Sequence, residues 1–204
     1  WACPRLPPAE MSEAALQALQ ETQAVLKGHF KLSSGLHSDT YVQKFRLFQH
    51  PWITGPLAAS MAEQWRGAGV EVVAAPAVGA ILLGYELARA LRVRSIFLER
   101  KDGAFAPRLG MDLEPGQKVL CAEDVVTTGG SVLEMARVIE GLGAEVIGFA
   151  ALIDRSSAPP PFHKPFRALL KLSPDQYKPE ACPLCAAGKP LDTPGSRRHG
   201  KGAS

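Results

Sequence analysis

Val119-Leu120-Cys121-Ala122-Glu123-Asp124-Val125-Val126-Thr127-Thr128-Gly129-Gly130-Ser131 is the stretch whose reading decides the fold. It opens on a run of apolar residues without polar alternation, the pattern of a strand covered on both faces. Two adjacent carboxylates end that strand, over residues 119–123. A Thr- and Gly-rich turn then leads into residues 131–142, which are apolar at helical spacing and stop at Gly143. The next apolar run, 146–153, reads as another buried strand. Upstream the same alternation recurs, with strands at 70–76 and 94–99 and a helix at 80–91 between them. Continuous apolar strands alternating with helices specify an α/β fold, a parallel, doubly wound sheet flanked by helices.

The flanks are less regular. Residues 11–27 read as a helix with Leu16, Leu19 and Leu26 among good helix formers, stopped by Gly28. Residues 30–47 read as a turn and short strands, 53–66 as an amphipathic helix, and 101–112 as a Gly- and Pro-containing loop. After Ser156 the pattern weakens. Pro159-Pro160-Pro161 is a linker, 166–172 an extra strand, and the rest loop.

The chain has 204 residues, of which 46% are hydrophobic and 21% charged, the make-up of a single globular domain. No run reaches the length of a membrane span and no signal-peptide pattern opens the sequence. Four cysteines are too few for a disulfide framework and favour a reducing, cytoplasmic location. The net charge of +3 falls entirely on a basic tail, 189–204, so the body is neutral and shows no nucleic-acid-binding face.

In open α/β sheets ligands bind at the carboxyl ends of strands. There, Thr127, Thr128, Gly129, Gly130 and Ser131 would present backbone N–H groups and hydroxyls at a helix N-terminus, a cradle for phosphate. Glu123 and Asp124 would repel that phosphate and suit a vicinal diol or a divalent metal. Diol and phosphate at this spacing fit a ribose 5-phosphate. A Gly-x4-Gly-Lys-Ser/Thr phosphate loop is missing, and Gly141-Leu142-Gly143 lacks the third glycine of a dinucleotide fingerprint.

Glu123-Asp124-Val125-Val126-Thr127-Thr128-Gly129-Gly130-Ser131 resembles the phosphoribosyl pyrophosphate (PRPP) motif of the type I phosphoribosyltransferases. Three further stretches resemble the orotate phosphoribosyltransferases among them. These are Phe30-Lys31-Leu32-Ser33-Ser34-Gly35 through Ser38 and Tyr41, Phe97-Leu98-Glu99-Arg100-Lys101, and Ala151-Leu152-Ile153-Asp154-Arg155. The resemblance covers about residues 11–155, and the tail from Cys182 to Ser196 resembles the carboxyl end of one branch.

It implies transfer of ribose 5-phosphate from PRPP to orotate, giving orotidine 5′-monophosphate and pyrophosphate in pyrimidine synthesis, with Mg²⁺ as cofactor. It also implies one domain: a core at about 51–155, and a hood at about 28–50 plus 156–190. Glu123 and Asp124 would hold the ribose hydroxyls, Asp124 also toward Mg²⁺. Val125, Val126, Thr127, Thr128, Gly129, Gly130 and Ser131 would bind the 5-phosphate. Ala77, Val78 and Gly79 form the pyrophosphate loop. Thr127, Tyr41, Val42 and Arg155 would meet orotate, with Arg155 pairing its carboxylate. Arg100 and Lys101 enter a mobile lid, residues 101–110, reaching the neighbouring site of a homodimer.

The chain departs from the family pattern at several points. Ala104 stands where several members carry a loop lysine, and Arg108 is the substitute cation. Ser33 stands where some place a hood lysine, leaving Lys31 or Lys44 to replace it. Glu123 replaces the commoner Asp, and Ala80 a frequent Gly. Cys182-x-x-Cys185 is half of a four-thiolate zinc site, completed by a second subunit or Cys3, or else a reduced turn. His29, His37 and His50 read as hood surface residues. A purine-base phosphoribosyltransferase and a non-catalytic PRPP sensor are the competing functions.

Overall fold

A computed structural model describes residues 8–32, 34–172 and 175–194. Cys3, Ser33 and the tail from 195 onward lie outside them. A six-stranded sheet forms the core, in the order β5-β4-β3-β6-β7-β8. Its strands are β3 (Val72–Pro76), β4 (Arg94–Lys101), β5 (Ala104–Pro107), β6 (Lys118–Val126), β7 (Glu145–Asp154) and β8 (Phe166–Lys171). All neighbours are parallel except β4 and β5. A second sheet, antiparallel, contains β1 (Val25–Lys31), β2 (His37–Val42) and β9 (Gln176–Tyr177) in that order across the hood.

The central strands β3, β6 and β7 are buried on both faces because each face meets its own set of helices. On one side Val73, Leu120, Ala122, Ala150 and Leu152 pack with α1 (Pro8–Glu21), α3 (Pro51–Glu63) and α4 (Ile81–Leu91). On the other, Val72, Ala74, Val119, Cys121 and Phe149 pack with α5 (Gly130–Gly141). Successive residues of β3 and β6 therefore alternate between two cores, which explains apolar runs without polar interruption. Helices packed on opposite faces leave a crevice between the turns that follow β3 and β6. The chain leaves β3 through α4 to β4 on one flank, and leaves β6 through α5 to β7 on the other. The strand order thus reverses between β3 and β6, where open α/β sheets bind ligands.

Four expectations are corrected. The first helix ends at Glu21, and Val25 already begins β1. Gln23 takes a left-handed φ of 51° and turns the chain, while Gly28 lies within β1 where the pairing with β2 shifts register. Lys44–Phe48 is a short helix, α2, where strand was expected. The segment expected as loop at 101–112 contains a two-residue hairpin. Asp102 (φ 52°) and Gly103 (φ 89°) take the left-handed conformations of the tight turn that matches strand twist. Finally, 166–171 adds a parallel edge to the central sheet rather than belonging to the hood.

Candidate active site

The crevice is bounded by the β3–α4 turn and the β6–α5 turn. Ala77, Val78 and Gly79 form the first, and the Ala77–Val78 peptide bond is cis. Gly79 has no room for a side chain: a Cβ there would overlap Lys44 Nζ and come within 2.7 Å of Asp124 Oδ2. The pyrophosphate-loop candidate, the start of α2 and the end of β6 therefore meet at one point. Lys44 Nζ pairs with Asp124 Oδ2 there.

Asp124 is 2% exposed. Its Oδ1 accepts the Val125 N–H at 2.6 Å, and its own N–H donates to Glu123 Oε1 at 3.1 Å. Burial, then the neighbouring Asp124 charge, push the Glu123 carboxyl up to about 8. Two carboxylates crowded at a strand end in this way gain from any group that donates hydrogen bonds or carries positive charge.

The β6–α5 turn has the geometry of an anion cradle. Thr127, Thr128, Gly130 and Ser131 are exposed; the N-cap residue of α5, Gly129, has no side chain to cap it, and the one side-chain contact in the first turn is a long one, from the Gly130 N–H to Thr128 Oγ1 at 3.4 Å. The N–H groups of that turn and the positive end of the helix dipole face outward. Gly129 has a φ of 77°, and a Cβ there would meet the Phe162 ring at 2.8 Å. Phe162 in turn stacks on Phe149, with centroids 4.2 Å apart. Sequence reading treated the Pro159-Pro160-Pro161 stretch as linker, but it delivers this aromatic cover. Val125 and Val126 continue β6 into the turn and hold it in place.

Arg155 follows β7, and its N–H donates to the Val126 carbonyl at 2.7 Å, which brings it alongside the cradle. It is 7% exposed, yet its Nε and Nη2 have no hydrogen-bond partner among the described residues. Burial holds the guanidinium below the usual arginine range, and nearby Tyr41 opposes this in part. A buried cation with idle donors is costly unless an anion arrives. The preceding Asp154 is well anchored. Although burial alone would raise it, Lys171 Nζ at 2.7 Å and the Ser156 hydroxyl and N–H hold its carboxyl below the usual range. Tyr41 and Val42 end β2, on the hood side of the crevice, with Val42 buried.

The cations of the β4–β5 hairpin are differently placed. Arg100 makes a bidentate pair with Glu134 of α5, at 2.8 and 2.6 Å, and lies over the Phe105 ring. Arg108 Nη1 donates to Glu99 at 2.9 Å. Both are thus engaged along the hairpin. Lys101 is exposed at its tip and makes no ion pair among the described residues. Lys44 was weighed from sequence only as a stand-in for a hood lysine. Its position, two residues past Tyr41-Val42, is the one signal that pointed to it.

Comparison with known proteins gives a consistent result. The family model described as the phosphoribosyl transferase domain matches residues 55–185. The orotate phosphoribosyltransferase of Caldanaerobacter subterraneus subsp. tengcongensis is 44% identical over 186 residues, 91% of this chain and 98% of that protein. Among solved structures, the Mycobacterium tuberculosis H37Rv orotate phosphoribosyltransferase in complex with inorganic phosphate aligns with a TM-score of 0.64 and 24% identity. The alignment covers 81% of this chain and 97% of that one. The adenine phosphoribosyltransferase of Rhodothermus marinus aligns with a TM-score of 0.61 and 22% identity, over 77% of this chain and 99% of that one. These two structures share the fold; neither distinguishes between bases.

Proposed function

Because the chain belongs to the orotate phosphoribosyltransferase family, we propose that it transfers ribose 5-phosphate from PRPP to a ring nitrogen of orotate. The products are orotidine 5′-monophosphate and pyrophosphate, within pyrimidine biosynthesis. The observation that carries the choice of base is Arg155, a buried guanidinium with idle Nε and Nη2 beside the cradle. A carboxylate satisfies both donors at once, and orotate carries one where a neutral purine does not. A purine base would leave that cation unpaired, so the purine alternative is not favoured. A sensor without turnover is not favoured either, because the relatives are named as enzymes.

Each segment has a task in this reading. The N–H groups of Thr128, Gly129, Gly130 and Ser131, with the Thr127 and Thr128 hydroxyls, hold the 5-phosphate. Glu123 and Asp124 accept hydrogen bonds from the ribose hydroxyls and fix the sugar. Ala77, Val78 and Gly79 lie where the pyrophosphate leaves. Tyr41 and Val42 flank the orotate ring from the hood side. Breaking the bond at C1′ places positive charge on the sugar and negative charge on the leaving group, so preorganised charge does most of the work. Asp124 stabilises the first, while Lys44 and Lys101 stabilise the second.

Hard carboxylate oxygens crowded enough to raise Glu123 are a fitting donor set for Mg²⁺. Asp124 would be the protein group holding it beside PRPP, and the chemistry it would supply is neutralisation of the pyrophosphate charge. Lys101 and Arg108 belong to a lid over residues 101–110. In that closed state Arg100 and Arg108 exchange Glu134 and Glu99 for phosphate oxygens. A homodimer in which this lid serves the neighbouring site is part of the same reading. Exposed Val78, Leu82 and Tyr85, running from the pyrophosphate loop along α4, offer the apolar face it needs. No described helix is long and apolar enough to cross a membrane, and the cytoplasm is the location we assign.

The test is an initial-rate comparison of orotate, uracil and adenine with PRPP and Mg²⁺. Orotate turnover far above both others supports the reading. Adenine turnover equal to that of orotate contradicts it.

A further inference from the structure

Apart from the crevice residues, four metal-ligating side chains converge in the hood. His29 comes from β1, His37 from β2, and Cys182 and Cys185 from the segment after β9. Both histidines are buried, at 4% and 5% exposure, as is Cys182 at 4%. Their expected place on the surface is therefore corrected. One donor atom from each lies within 4.8 Å of all the others. His29 Nε2 is 3.0 Å from His37 Nδ1, 3.5 Å from Cys182 Sγ and 3.7 Å from Cys185 Sγ. Cys185 Sγ is 3.3 Å from His37 Nδ1.

We propose that His29, His37, Cys182 and Cys185 form a structural Zn²⁺ site that fastens the carboxyl-terminal segment to the hood. Bonds of about 2.05 Å to nitrogen and about 2.3 Å to sulfur around a tetrahedral ion require edges of about 3.3 Å (N to N), 3.6 Å (N to S) and 3.8 Å (S to S). The one N–N and three N–S separations given above match these within a few tenths of an ångström.

Hydrogen bonding alone accounts for the cluster poorly. His29 Nδ1 lies 2.9 Å from the Lys189 carbonyl, an acceptor only, so that nitrogen carries the proton. Nε2 then has a single lone pair facing three polar neighbours. A metal takes that lone pair and the other three donors together. The Nδ1–H to carbonyl contact is the outer-shell bond that orients metal-bound histidines. Two nitrogens and two sulfurs in tetrahedral array select zinc over Mg²⁺ or Ca²⁺. With four protein ligands and no open position, the site is of the closed, structural kind.

The cluster also answers a structural need. The segment is held to the hood by a two-residue β2–β9 ladder and by backbone bonds that Asp192 exchanges with His29 and Lys31. Cys182-x-x-Cys185 does not need a second subunit, because this chain supplies the other two ligands from residues far away in sequence.

The test begins with the full chain purified without chelator or metal-affinity resin. Elemental analysis should find about one zinc per chain, and X-ray absorption at the zinc edge should give two sulfur and two nitrogen ligands. Replacement by Co²⁺ should produce the intense visible bands of tetrahedral thiolate coordination. Cys182→Ser/Cys185→Ser and His37→Gln should each lose the zinc. The double-cysteine variant should keep the circular dichroism of the core and become cleavable by chymotrypsin after Tyr177 or Leu184. Zinc well below one per chain with all four thiols free overturns the proposal. So does a Cys182–Cys185 disulfide found by mass spectrometry, or zinc retained by the double-cysteine variant.

Discussion

Replacing Arg155 by methionine should stabilise the free protein and cripple orotate binding together. Arg155 is 7% exposed, with Nε and Nη2 unpartnered. An unsatisfied buried donor costs about 1–3 kcal/mol, and methionine fills similar space without polar atoms. After allowance for imperfect packing, Arg155→Met should raise unfolding stability by about 1–2 kcal/mol, which is a few degrees in Tm for a chain of this length. Loss of a two-point, charge-assisted contact to the carboxylate should weaken orotate by about 2–4 kcal/mol, roughly 30- to 700-fold in Kd. Uracil, which lacks the carboxylate, should be indifferent to the change, and PRPP nearly so. Differential scanning calorimetry and isothermal titration of the three ligands measure all of this. A variant that is less stable and binds orotate normally would refute the reasoning, because Arg155 would then be a structural group with partners of its own.

Lys44→Ala removes the partner of nearly inaccessible Asp124. It should lower stability by about 1–3 kcal/mol in urea titrations and reduce kcat/KM for PRPP at least tenfold. The Asp154–Lys171 pair should show in acid. Native Asp154 binds its proton more weakly than the unfolded chain does. Its contribution is therefore full above the unfolded value of about 3.9 and disappears as pH falls through the lowered native value. Lys171→Met should cost about 1 kcal/mol near neutrality, and the gap from the natural protein should close below pH 4 in pH-dependent urea unfolding. Gly148→Ala would place a methyl on the ring of buried Trp65. About 1–3 kcal/mol of destabilisation is expected, with KM values unchanged.

The legible part of this molecule is its contiguous part. β3, β6 and β7 were readable because each is an apolar run facing two cores, β4 because Ile96, Phe97 and Leu98 form a short apolar run after a helix, and the cradle because its donors are consecutive. Arg155 was legible only through the resemblance of Ala151–Arg155 to a family strand end, and only the structure exposes its idle donors. What escaped depends on tertiary contact. Lys44 and Asp124 are eighty residues apart, and the histidines read as hood surface because their partners, Cys182 and Cys185, lie over 140 residues away. The end of α1 escaped because its turn falls on Gln23, a residue with no particular taste for a left-handed φ, while Gly28 offered a false stop. The hairpin had its signal in Asp102-Gly103, and the wider loop of Gly and Pro obscured it.

The most direct test of the account is a crystal structure of the chain with orotidine 5′-monophosphate bound. The account predicts the base carboxylate within hydrogen-bond distance of Arg155 Nε and Nη2, the phosphate on the N–H groups of residues 128–131, and the ribose hydroxyls on Glu123 and Asp124. A carboxylate bound elsewhere, with Arg155 still unpartnered or turned to the phosphate, would contradict it.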